Sequence, residues 1–116
     1  MHEGAIAESI VDILKDTAKE NSLNKITRVV LKIGKMSGVM VDALLFALEA
    51  LKNEESLIEG AEFEVVENNI KAHCFVCDKD FYFEESSGIV LICPECSMPL
   101  EIIEGKEMEI VEIEGE

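Results

Sequence analysis

Apolar residues recur at three- and four-residue intervals over residues 4–20. Ile6, Ile10, Ile13, Leu14 and Ala18 share one face, and Glu8, Asp12, Asp16 and Lys19 take the rest. That period predicts an amphipathic helix, ended by Asn21-Ser22. Over 26–33 the period changes to two: Thr27, Val29, Leu31 and Ile33 alternate with Ile26, Arg28, Val30 and Lys32. This predicts a strand closed by Gly34. The following loop, Lys35 to Val41, is apolar enough to be partly packed. Asp42 is the expected N-cap of a second helix over 43–53, with Leu44, Leu45, Leu48 and Leu51 as its buried stripe. After Gly60, Ala61–Val66 reads as a second strand with Phe63 and Val65 on one face. Strand, helix, strand implies a right-handed crossover and a parallel pair.

Residues 71–98 break the pattern. They hold all four cysteines, with Phe81, Tyr82 and Phe83 between the two pairs. They read as a small metal-bound lobe of turns and short strands. Beyond Pro99, 100–103 and 107–113 look extended, with Met108 and Ile110 toward the core and the last strand returning to the main sheet. The expected fold is therefore α/β in the α+β two-layer sense: a small mixed three-stranded sheet with two helices, plus a zinc-ribbon-like lobe. The expected division is a domain of residues 1–70 and 99–116 and a lobe of 71–98.

Composition narrows what this fold could do. At 116 residues and 48% hydrophobic content, the chain is an ordered domain of modest core. No apolar run approaches the roughly 18 residues that span a bilayer. Met1-His2-Glu3-Gly4 does not open a secretory signal, so the expected compartment is the cytoplasm. The formal charge is -15, from 25 acids against 10 Lys and Arg. Such a surface repels a phosphate backbone, which counts against the nucleic-acid-binding ribbons that also carry paired CxxC motifs. It suits a basic protein partner or the attraction of cations.

Cys74-x2-Cys77 and Cys93-x2-Cys96 are separated by fifteen residues. Two residues between thiolates let one tight turn aim both sulfurs at a single ion. Two facing turns make a closed tetrahedral sulfur cage, which suits structural zinc. Iron in the same cage and a redox dithiol pair are the alternatives. His73, directly before Cys74, is expected as an exposed loop histidine, with a role orienting a thiolate as the other reading.

His2 is one of only two histidines. The free amine of Met1 and the backbone and imidazole nitrogens of His2 can close adjoining chelate rings on one metal, and Glu3 can add a carboxylate oxygen. A nitrogen-rich planar set suits nickel(II) or copper(II). From these residues alone an ordinary surface histidine remains the default reading.

Taken in order, Met1-His2-Glu3, the segment Val29 to Val39 leading into a helix with Leu44, Phe46, Ala47 and Glu49, the paired-CxxC lobe and a closing Glu-Met-Glu-Ile strand resemble the HypA/HybF nickel chaperones of [NiFe] hydrogenase maturation. The resemblance spans essentially the whole chain. It implies a small α/β domain with a zinc lobe, zinc on Cys74, Cys77, Cys93 and Cys96, and nickel on His2 with the Met1–Glu3 backbone and the Glu3 side chain. An acidic residue near the start of the second helix assists nickel in part of the family, and Asp42 is the nearest candidate. The implied partners are the maturation GTPase HypB and the hydrogenase large subunit; some members also serve urease through its accessory proteins. Many members carry a histidine just after the zinc cysteines, whereas here Ser97 follows Cys96. A carrier without turnover is the leading expectation. A metalloenzyme would need a nucleophile-base set or phosphate loop that does not accompany His2 and Glu3. A zinc-only adaptor would bind one metal rather than two.

Overall fold

The computed structural model describes residues 2–84 and 90–116. In chain order the elements are α1 (Glu3–Glu20), β1 (Ile26–Gly34), α2 (Val41–Lys52), a short 3-10 turn (Ser56–Ile58), β2 (Glu62–Asn68), β3 (Ile70–Cys74), β4 (Lys79–Phe83), β5 (Glu101–Glu104) and β6 (Met108–Gly115). They form two three-stranded sheets, ordered β2-β1-β6 and β4-β3-β5. The mixed α+β architecture is the expected one.

The chain divides into two compact units: Met1–Leu31 with Val39–Val66 and Glu109–Glu116, and Lys32–Gly38 with Glu67–Met108. In the first, α1 packs on α2. The buried stripe of α1 is Ala7, Ile10, Val11, Leu14 and Ala18. This is a rotation of the expected face: Ile13 is 49% exposed, while Ala7 and Val11 are buried in its place. Ala7 is fully buried despite its small side chain, something a hydrophobicity count undervalues. Leu44 and Leu48 of α2 and Val29 and Leu31 of β1 are fully buried. Each such leucine or valine contributes about 1.5–3 kcal/mol of burial. Lys25 and Glu116 exchange both backbone hydrogen bonds, so β6 returns antiparallel beside β1. Arg28 pairs with Glu64, and further along both strands the Lys35 N–H donates to Asn68 O, which is the parallel sense expected for β1 and β2.

The helix start at Asp42 is corrected. The helix begins at Val41 with Met40 as N-cap and no side-chain capping bond, and Asp42 sits exposed in the first turn. The Met40 N–H is instead taken by Glu3 of α1.

The second unit reaches beyond residues 71–98 on both sides, because β5 pairs antiparallel with β3 through His73↔Glu101 and Ala72↔Ile102. Its close packing depends on two glycines. A Cβ at Gly34 would lie 2.1 Å from Gly105 O, and Gly105 itself has φ +118. Only glycine fits both positions.

Candidate metal sites

β3 and β4 form a hairpin in which Cys74 pairs with Lys79, so Cys74 ends β3 and Cys77 lies within the turn. The second pair lies on a matching knuckle. The Ser97 N–H donates to Cys93 O at 2.9 Å, and the Cys93 N–H donates to Met98 O at 2.8 Å. Each knuckle closes on a left-handed residue immediately after its second cysteine: Asp78 at φ 55 and Ser97 at φ 63. Lys79 of the first knuckle reaches Glu95 of the second at 2.8 Å.

This brings all four sulfurs within 4.8 Å of one another. Zinc–sulfur bonds of about 2.3 Å at tetrahedral angles place sulfurs about 3.8 Å apart. The observed separations bracket that value, with Cys74–Cys96 at 3.5 Å and Cys77–Cys93 at 4.0 Å. Cys74 and Cys93 are buried, and Ala72, Phe81, Phe83, Leu91 and Leu100 pack around the cluster. Tyr82, between the two phenylalanines, faces solvent. The dry surround suits a thiolate cage.

The protonation of the cluster also favours a cation. The Cys77 N–H, 3.4 Å from Cys74 Sγ, holds the Cys74 thiol below its ordinary range against the opposing effect of burial. The hydrogen bond to Cys96, with burial, pushes Cys77 up. Cys96 is also raised: the Met98 N–H pulls it down, but burial and the bonds with Cys74 and Cys93 outweigh that. One thiol ionises readily and its neighbours resist, so a divalent ion's charge is what would let all four coordinate as thiolates. The four cysteines are free thiols and could hold a metal such as zinc.

His73 is neither of the things expected of it. It lies on β3, not in a loop, and strand alternation turns it to the face opposite Cys74. There Nδ1 is 2.7 Å from Asp80 Oδ1, Nε2 is 3.3 Å from Asp78 Oδ1, and the ring meets Phe75 edge-on. The His73 contact, with Lys71 adding to it, lowers the Asp80 carboxyl below its usual range.

At the other site, Met1 lies outside the described residues. His2 is exposed, the N-cap of α1, and its carbonyl accepts the Ile6 N–H at 3.0 Å. Glu3 begins the helix, and its Oε2 accepts the Met40 N–H at 3.0 Å. That bond, with help from its own N–H, holds the Glu3 carboxyl below its usual range. Asp42 is two residues beyond Met40. The Glu3–Met40 bond therefore joins the starts of the two helices that carry His2, Glu3 and Asp42. Among the described residues, the four cysteines are the one group gathered tightly enough to hold a metal as they stand; His2, Glu3 and Asp42 are neighbours in this sense but not a closed cluster.

Sequence reasoning missed Met40, Asp78, Ser97 and the Lys79–Glu95 link. Asp78 and Ser97 had a signal, a short polar residue directly after each CxxC, the type that tolerates a tight turn. A backbone N–H such as that of Met40 leaves no trace in residue type.

Comparison with known proteins accounts for the entire chain. Residues 1–115 match the family model described as hydrogenase/urease nickel incorporation, metallochaperone, hypA. Proteins named hydrogenase maturation factor HypA are similar end to end. That of Nostoc punctiforme is 36% identical over 100% of this chain and 96% of its own, and that of Chloroflexus aurantiacus is 35% identical over 98% of each. The solution structure of the Ni metallochaperone HypA from Helicobacter pylori matches with a TM-score of 0.71 at 26% identity, covering 99% of this chain and 97% of that one. A second HypA solution structure gives a TM-score of 0.73, also at 26% identity, over 99% and 96%. These descriptions are of a carrier and maturation factor, not a catalyst, as the family resemblance implied. With a match running from the first residue almost to the last, and a fold shared throughout, the chain belongs to the HypA family.

Proposed function

We propose that this protein is a nickel carrier for [NiFe] hydrogenase maturation, with a structural zinc. Nickel(II) is its cargo, taken up by the Met1 amine, the backbone and imidazole nitrogens of His2, and Glu3, with Asp42 as an additional oxygen donor. Zinc is held by Cys74, Cys77, Cys93 and Cys96, where four protein ligands leave no open position for chemistry. Nickel thus belongs to the α1–α2 unit and zinc to the cysteine unit. The recipient is the maturation GTPase HypB and, beyond it, the hydrogenase large subunit; delivery toward urease accessory proteins is a second route. The expected compartment is the cytoplasm, and among the described residues no helix is long and apolar enough to cross a membrane. The observation that carries this reading is the full-length match to a nickel-incorporation family, in a chain whose exposed His2 is followed by half-buried Glu3.

The test is metal stoichiometry under selective removal. Protein loaded with both metals should hold one zinc and one nickel per chain. A thiol-modifying mercurial should release the zinc and leave the nickel, while His2→Ala should do the reverse. A chain that binds zinc alone, whatever nickel is supplied, would reduce the protein to an adaptor.

A further inference from the structure

A capping box normally closes a helix start by a Glu or Gln at N3 reaching back to the N–H of the N-cap residue. In α2 the N-cap is Met40 and the N3 position is Ala43, which has no group to do so. The part is played from another helix: Glu3 Oε2 of α1 accepts the Met40 N–H at 3.0 Å. We propose that the Met40 backbone N–H is the positioning group for Glu3, orienting its carboxylate toward metal at the N-terminus.

The chemistry of the carboxylate allows both roles at once. It has two oxygens and about four lone-pair sites. The Met40 N–H takes one on Oε2, and a carboxylate held in this way still has lone pairs to offer a cation. Without Met40, the Glu3 carboxylate would keep only the weaker tie to its own N–H. The Met40 bond restricts the carboxylate to the start of α2. Metal-ligating carboxylates are generally held by such outer hydrogen bonds, and losing one typically weakens metal binding about 10–100-fold. The same bond brings the first turn of α2, with Asp42, to the start of α1. Met40 thus acts through its backbone, and its side chain, 66% exposed, is not required.

This rests on the nickel reading, and the test separates the two. Met40→Pro deletes the donor: the native φ of -84 is near the angle proline imposes, the residue precedes the helix proper, and Val39 before it lies outside any helix. Met40→Leu keeps the donor and removes the thioether. In nickel titrations of zinc-loaded protein, Met40→Pro should bind about 10–100-fold more weakly, with zinc content and helical circular dichroism unchanged, and Met40→Leu should bind as the wild type does. Wild-type affinity in Met40→Pro would overturn the proposal, as would equal weakening in both variants. Amide hydrogen exchange tests the bond without metal. The Met40 amide should be protected in the wild type and lose protection in Glu3→Ala; an unprotected wild-type amide would also overturn it. Nickel binding indifferent to His2→Ala would defeat the nickel reading itself, and the Glu3–Met40 tie would then stand or fall on exchange alone.

Discussion

Glu107 is a residue whose side chain does the work of a backbone segment. Its Oε2 accepts the Gly105 N–H at 2.9 Å and its Oε1 accepts the Asn68 side-chain amide. The Gly105 N–H first, and Asn68 next, hold its carboxyl below the usual range. Because the folded-state pKa is depressed, the stabilisation is present above the ordinary carboxylate pKa and is lost as pH falls through the folded value. Glu107→Gln replaces one acceptor oxygen by an amino group that faces a donor. The variant should melt below the wild type at pH 7, and the gap should narrow steadily toward pH 3. Thermal unfolding at several pH values checks this; a gap that is constant with pH would remove charge from the explanation. The left-handed pair Asp78 and Ser97 belongs to the same scale. Each carries a conformation that glycine adopts without cost, and each is positioned to close a knuckle.

At the scale of elements, the two knuckles are held by local hydrogen bonds, an exposed ion pair and a small cluster of Ala72, Cys74, Cys93 and Leu100. So little apolar burial stabilises the segment weakly, and a bound metal supplies most of what is missing. Cys74→Ser should lose zinc and open residues 71–98 to protease, while β2-β1-β6 with α1 and α2 remains protected. A lobe equally resistant in wild type and variant would contradict this. Much at this scale could be read from sequence. The strand period over β1 and the CxxC spacing each reflect local geometry; the strand and the cysteine cluster are where they were expected, though β1 buries Ile26 and Val30 as well as Val29, Leu31 and Ile33 and leaves Thr27 exposed. The misreadings share a cause. The start of α2 and the surroundings of His73 are set by what lies beyond the local stretch of chain: Glu3 against Met40, Asp78 and Asp80 against His73; the buried face of α1 likewise answers to the helix packed on it. A residue's own neighbours in the chain carry no record of that.

At the scale of the whole molecule, a formal charge of -15 counts against a phosphate-backbone partner and favours cations and basic partners. The two proposed metals would lie in different settings: four sulfurs in a dry, closed cage, and a few nitrogen and oxygen donors at an exposed helix start. Closed coordination suits a metal that stays, and an open, nitrogen-rich set suits one that is passed on. The central claim is that nickel is taken at the N-terminus through the Met1 amine and His2. Nickel titration of zinc-loaded protein tests it most directly, with three chains compared: unextended, extended by a few residues before Met1, and His2→Ala. Only the first chain should bind one nickel tightly, with zinc content equal in all three. Nickel affinity that survives in the extended chain but not in His2→Ala would remove the amine from the ligand set; affinity that survives in His2→Ala would contradict the site altogether.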